Sequence, residues 1–305
     1  MLICSLLILI IIGLQMLINQ QIREKSVFRI ETAPRYVVIG HSISECAYND
    51  SIIEGLVNLS QSGDSYLYLL YKLKLFLDQN PSIEVVFIEF SNNQIGKSMD
   101  ERIWGERYLG YKFTKYAPFM SFSDKSLIFM KNPCGFLDNS SITFKLNMDR
   151  LLYCDLNYSE TLGGYLQLSY NKVDSLLKIN SEKEVTPDDL GISEKNLEYL
   201  SNIIQLCRAR NIRPILVRSP LHRAHAGFKT ENLYQQIRCE KFSDIEFIDF
   251  AHFPIKDEDF ADFEHLNYRG AAVFSIFFND LLNEGLLQKE HIHEIVHDDI
   301  DVLQP

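Results

Sequence analysis

The chain alternates between two kinds of apolar pattern, and that alternation is its main structural signal. Short runs rich in Val, Ile and Phe, bounded by Gly, Ser, Asn or Pro, predict strands at Tyr36–Ile39, Ile83–Phe90, Arg213–Arg218 and Ile245–Phe250. Leu56-Val57-Asn58-Leu59, ending at Ser60, predicts another short one. Between and after them, apolar positions recur at helical spacing over Ser65–Gln79, Ser193–Arg210, Glu231–Cys239 and Asn267–Gly285. Strands alternating with helices predict an α/β fold: a parallel sheet covered by helices on both faces, in three α/β/α layers. At 305 residues the chain can bury a large core.

Two stretches break the rhythm. Leu2 to Ile18 holds no charged residue and only Ser5, Gly13 and Gln15 among its apolar side chains, which suits an uncleaved membrane anchor, with a signal segment as the alternative, over residues 1–22. A polar linker over residues 23–34 would join it to an α/β domain over residues 35–285, followed by an acidic tail over residues 286–305. The second break, residues 95–192, is rich in Tyr and Phe, contains the only tryptophan, Trp104, and shows no steady period. It predicts either an insertion over the sheet edge, too long for an ordinary loop, with aromatic side chains able to meet sugar rings or lipid, or a second helical layer with an aromatic core; Trp104–Tyr111 and Asp149–Cys154 suit short helices.

Composition narrows the function. The net charge of −11 and a pI near 5.2 exclude the basic face that nucleic-acid binding needs. Six cysteines include no C-x-x-C pair, so a structural zinc site has no support; Cys134 and Cys154 would be a disulfide only in an oxidising compartment. His291, His293 and His297 read as a solvated tail, and His222 and His225 as loop surface.

The candidate chemistry starts at Tyr36–Asp50. The first strand stops at Gly40 and throws Ser42 into a tight turn at the carboxyl edge of the sheet, where open α/β folds hold their ligands. A serine there becomes a nucleophile if a base faces it. Asp262 and His265, in D-x-x-H before the last helix, supply one: a carboxylate three residues ahead can fix the ring tautomer and leave the other nitrogen free for a hydroxyl proton. Ser42, His265 and Asp262 thus form a candidate triad. Gly63, after the second strand, and Asn93 or its neighbour Asn92, after the third, can join the Ser42 backbone N–H as an oxyanion hole. No metal or other cofactor is called for.

Taken together these blocks resemble the SGNH/GDSL hydrolase superfamily. Gly40-His41-Ser42 stands where that family has G-D-S, Asn58–Asp64 matches N-x-x-x-S-G-D, Ser91-Asn92-Asn93 is a loose counterpart of G-x-N, and Asp262–His265 matches D-x-x-H in full. The resemblance covers residues 35–95 and 210–280, about half the chain. It implies a flavodoxin-like sheet and a serine esterase or O-acyltransferase working through an acyl-serine. The anchor and the run His265-Leu266-Asn267-Tyr268-Arg269-Gly270 look like its membrane-tethered branch. That branch acts beside membrane-bound O-acyltransferases on acyl groups, typically acetyl, of cell-envelope carbohydrates. An extracytoplasmic domain would follow. Arg23, Lys25 and Arg29 point the other way, since the positive-inside rule keeps such a flank in the cytoplasm. His41 and Ser91 depart from the family pattern, and the alternative they leave open is an inactive fold that binds a glycan or an assembly partner.

Overall fold

The computed structural model describes residues 2–179, 191–289 and 292; along the first helix, side chains are described at Ile10 and from Gly13 onward. Its centre is a parallel five-stranded sheet. The strands are β1 (Tyr36–Ile39), β2 (Leu56–Asn58), β3 (Val85–Glu89), β4 (Arg213–Arg218) and β5 (Glu246–Asp249), in the order β2-β1-β3-β4-β5. That is the flavodoxin-like order, with its switch point between β1 and β3, where the connections leave in opposite directions. Register is set by pairs such as Tyr36 opposite Val85 and Phe87 opposite Ile215.

The strands alternate in the faces they serve. Val37, Ile39, Val86, Ile88, Leu216 and Phe247 pack into one core, under α3 (Tyr66–Gln79), α6 (Glu194–Ala209) and α7 (Glu231–Lys241). Val38, Phe87, Ile215, Val217 and Ile248 point the other way, onto α8 (Tyr268–Asn283) and the residues flanking α2 (Ser42–Ala47). Each such apolar side chain contributes roughly 1.5–3 kcal/mol by burial, so both faces must stay covered. Helix boundaries follow local chemistry. Ser193 caps α6 by accepting from Asn196 N–H, and Asn267 caps α8 by accepting from Arg269 and Gly270 N–H.

Of the two forms open to it, the insertion takes the helical layer. It is largely helical: short turns from Met99 to Tyr116, then α4 (Phe122–Lys131) and α5 (Pro133–Tyr153). Periodicity is hard to see in α5 because it buries Gly135, Asn139, Thr143 and Asn147 and exposes Leu137, Ile142 and Leu146. The tail of the insertion then runs along the sheet's carboxyl edge, where Gly164 N–H reaches Ser60 O, Leu166 N–H reaches Glu45 O and Lys172 N–H reaches Ala261 O.

The first helix, α1 (Leu2–Lys25), packs its later turns against α5. Among the described residues, no helix is long and apolar enough to cross a membrane; much of the expected anchor's side-chain content lies outside them. The stretch read as a polar linker is docked instead, with Phe28 buried and stacked on Tyr158 and its N–H given to Gln79. Cys134 and Cys154 are free thiols at opposite ends of α5, about 30 Å apart by helical rise, which rules out a bridge between them. Beyond Leu286–Gln288, nearly all of the acidic tail, including His291, His293 and His297, lies outside the described residues.

Candidate active site

Ser42 is the first residue of α2, three residues past the end of β1. Gly40, between them, is fixed by space: a Cβ there would lie 2.2 Å from Ser44 Oγ and 2.5 Å from Glu89 Cβ. The chain can turn so tightly only because that position carries no side chain.

His41 caps α2. Its Nδ1 accepts the N–H of Ile43 at 3.3 Å, and its Nε2 lies 3.4 Å from Ser91 Oγ. Burial, aided by the charges of Arg102, His265 and His225, pushes its pKa well below the ordinary histidine value and keeps the ring neutral. An accepting Nδ1 places the proton on Nε2, facing Ser91. An aspartate at an N-cap does the same job with a carboxylate oxygen. His41 therefore preserves the turn that presents Ser42.

Across the sheet edge, His265 Nε2 lies 2.8 Å from Ser42 Oγ, and His265 Nδ1 lies 2.9 and 3.0 Å from the two oxygens of Asp262. Asp262 also accepts the backbone N–H of Glu264 and of His265, so its carboxylate is fixed before it meets the ring. Burial disfavours both charged forms. The hydrogen bond and charge between them outweigh it, so His265 is raised above its ordinary pKa and Asp262 is held below the usual carboxylate range. This orientation puts the ring proton on Nδ1 and leaves Nε2 to accept from Ser42. All three residues are only partly buried, so a substrate can reach Oγ.

The expected oxyanion donors fall on neighbouring loops. Gly63 has φ +78°, a conformation that favours glycine, and a Cβ on it would touch Tyr108 at 3.0 Å. Its loop is pinned from several sides. Asn58 accepts Ser60 N–H and donates to Ser44 O and Tyr48 O, while Glu45 accepts Ser62 N–H at 2.7 Å. Beneath it, Asp64 is buried between Lys72 and Lys112, each 2.6 Å away, and Lys72 also donates to Leu59 O. Burial alone would raise the Asp64 carboxyl, but the two ammonium groups more than offset it and keep it ionised.

The two asparagines separate clearly. Asn92 is buried, accepting from Arg218 at 2.6 Å and donating to Gly227 O and Glu231, so its amide is committed to the fold. Asn93 is half-buried. Among the described residues its side chain, the Ser42 N–H and the Gly63 N–H have no hydrogen-bond partner, which leaves them open to a ligand.

Sequence reasoning missed several supports. Lys72 lies on the apolar face of α3, and a lysine in that stripe is the signal that would have found it. His222 and His225 are buried rather than loop surface: His222 stacks on Phe263 and lies 3.3 Å from Asp257, and His225 Nδ1 is 4.0 Å from Glu264. Glu89 is fully buried against Ser219, which no pattern in the sequence foretold.

A model of a protein family matches residues 168–287, the stretch that carries β4, β5 and Asp262–His265. No curated protein sequence matches the chain. Among solved structures, a Streptococcus pneumonia protein provisionally described as a platelet activating factor aligns at 15% identity and a TM-score of 0.42, over 92% of this chain and 98% of its own. A provisionally described acylhydrolase from Bacteroides fragilis NCTC 9343 aligns at 12% identity and 0.39, over 87% and 94%. Likeness at this level carries no weight for activity, which must be judged from the site itself.

Proposed function

We propose that this protein is a serine ester hydrolase or O-acyltransferase of the SGNH type that works through an acyl-serine intermediate. The observation that carries the reading is the 2.8 Å contact between Ser42 Oγ and His265 Nε2, with Asp262 bonded to the far side of the same ring. His265 takes the Ser42 proton as Oγ attacks the ester carbonyl, and Asp262 stabilises the imidazolium that forms. The charge on the carbonyl oxygen is met by the N–H groups of Ser42 and Gly63 and the amide of Asn93. His265 then protonates the leaving alcohol. Water or an acceptor hydroxyl enters the same way to release the acyl group.

The substrate and setting extend this reading. The family resemblance favours acetyl esters of a cell-envelope carbohydrate, a membrane-bound O-acyltransferase as partner, and an extracytoplasmic domain held by the apolar segment Leu2–Ile18. Turnover of an aryl acetate by the full chain tests the chemistry: Ser42→Ala and His265→Ala are expected to abolish it while leaving the circular dichroism spectrum intact. Unchanged turnover in either variant overturns the assignment.

A further inference from the structure

We infer that α1 and α5 together form a lipid-facing surface, so that the protein rests on the bilayer through a pair of helices and not through a single tether. This rests on the reading of Leu2–Ile18 as a membrane anchor.

The burial of α5 is the reverse of what water requires. A helix on a water-exposed surface turns its apolar stripe to the core and its polar residues outward. In α5 the buried positions are Gly135, Asn139, Thr143 and Asn147, four residues apart, while Leu137, Ile142 and Leu146 are exposed. Small and hydrogen-bonding residues inside with aliphatic ones outside is the arrangement of helices that pack within lipid.

What lies beside this face says what covers it. Asn147 donates to Asn19 at 3.4 Å, and beyond the two helices Val27 pairs with Asn157 in parallel, so α1 and α5 run in the same direction. The turns of α1 before Asn19 therefore lie along the turns of α5 before Asn147. On that part of α1, Ile10, Leu14 and Leu17 are exposed by 56%, 44% and 62%. The end of α4 extends the patch, with Met130 72% exposed and Phe129 packed edge-on against Phe136 of α5. The face is thus continuous with a seventeen-residue stretch that carries no charge. Asp138 and Lys145 are also exposed on α5, which places the pair at the boundary between headgroups and acyl chains, not at the hydrocarbon centre. Lys131 and Lys145 at its margin suit lipid phosphates.

Tryptophan fluorescence tests the surface on the full-length chain. Trp104→Phe leaves a background into which Met130→Trp, Leu146→Trp or, as a control at an exposed position of α7, Glu240→Trp is placed. Each variant, its fold checked by circular dichroism, is mixed with vesicles of phosphatidylcholine and phosphatidylglycerol with or without brominated acyl chains. At positions 130 and 146 the emission is expected to shift to the blue and to be quenched by roughly half in brominated vesicles, with position 240 unaffected. A chain that does not float with the vesicles overturns the anchor reading and this surface with it. A chain that floats while positions 130 and 146 stay unquenched overturns the surface alone. Equal quenching at position 240 shows general adhesion and overturns it as well.

Discussion

His41 Nδ1 accepts the backbone N–H of Ile43 at 3.3 Å, across the residue that faces the base. The imidazole fills the role of an N-cap carboxylate and, being buried and neutral, does so without adding a charge beside Ser42. The substitution in G-H-S is therefore compatible with a working site.

A cap of this kind is interchangeable with other acceptors. His41→Asn is expected to keep most of the stability and activity, because asparagine ranks among the best N-caps. His41→Leu leaves Ile43 N–H unpaired and is expected to cost about 1–2 kcal/mol in urea unfolding, with a parallel fall in acylation rate.

The pH profile should report His265. As a base it must be neutral, and its pKa is raised by Asp262 above the ordinary 6.5 despite burial. The rate is expected to rise with pH through a midpoint above 6.5. Asp262→Asn removes the raising charge, so the midpoint should fall, and kcat should drop by about 10⁴ as the ring loses its tautomer.

Asn93 and Asn92 should fail in different ways. Asn93→Ala is expected to lower kcat by about 10²–10³ with little change in unfolding midpoint, as for a lost oxyanion donor. Asn92→Ala removes one buried acceptor of Arg218, whose Nη2 it meets at 2.6 Å beside Glu231, and the tie to Gly227 O, and is expected to lower stability first. Steady-state kinetics beside urea titrations separate the two.

Glu89 gives a stability test independent of activity. Burial raises its pKa from 4.5 to about 7, against the opposing effects of its Ser219 hydrogen bonds and the Arg218 charge. Between those values the folded protein holds a proton that the unfolded chain has lost. Its contribution is full below pH 4.5 and is lost as pH rises to about 7. At about 1.4 kcal/mol per unit this amounts to about 3 kcal/mol. Glu89→Gln should flatten the decline in unfolding free energy over that window.

Much of the fold was legible because its strands are short apolar runs with clear punctuation. Arg213–Arg218 was read to the residue, and helix starts near Ser65, Ser193 and Asn267 followed from the onset of helical apolar spacing. Ser42, Asp262 and His265 were legible as types at strand and helix ends, where few other residues compete. The insertion was legible as helix only in short pieces, because α5 buries Asn139 and Thr143 where periodicity looks for leucines. Nor were the supports, since Asp64 between Lys72 and Lys112, or Asn92 under Arg218, exist only when distant segments meet.

The central claim is that Ser42 carries the acyl group. Intact-mass spectrometry of the full-length protein after brief exposure to an aryl acetate, quenched in acid and mapped by peptide digestion, tests it most directly. One acetyl group is expected on the peptide containing Ser42, lost in Ser42→Ala and accumulating more slowly in His265→Ala. An unmodified Ser42 peptide in a folded protein that still turns the ester over would contradict it.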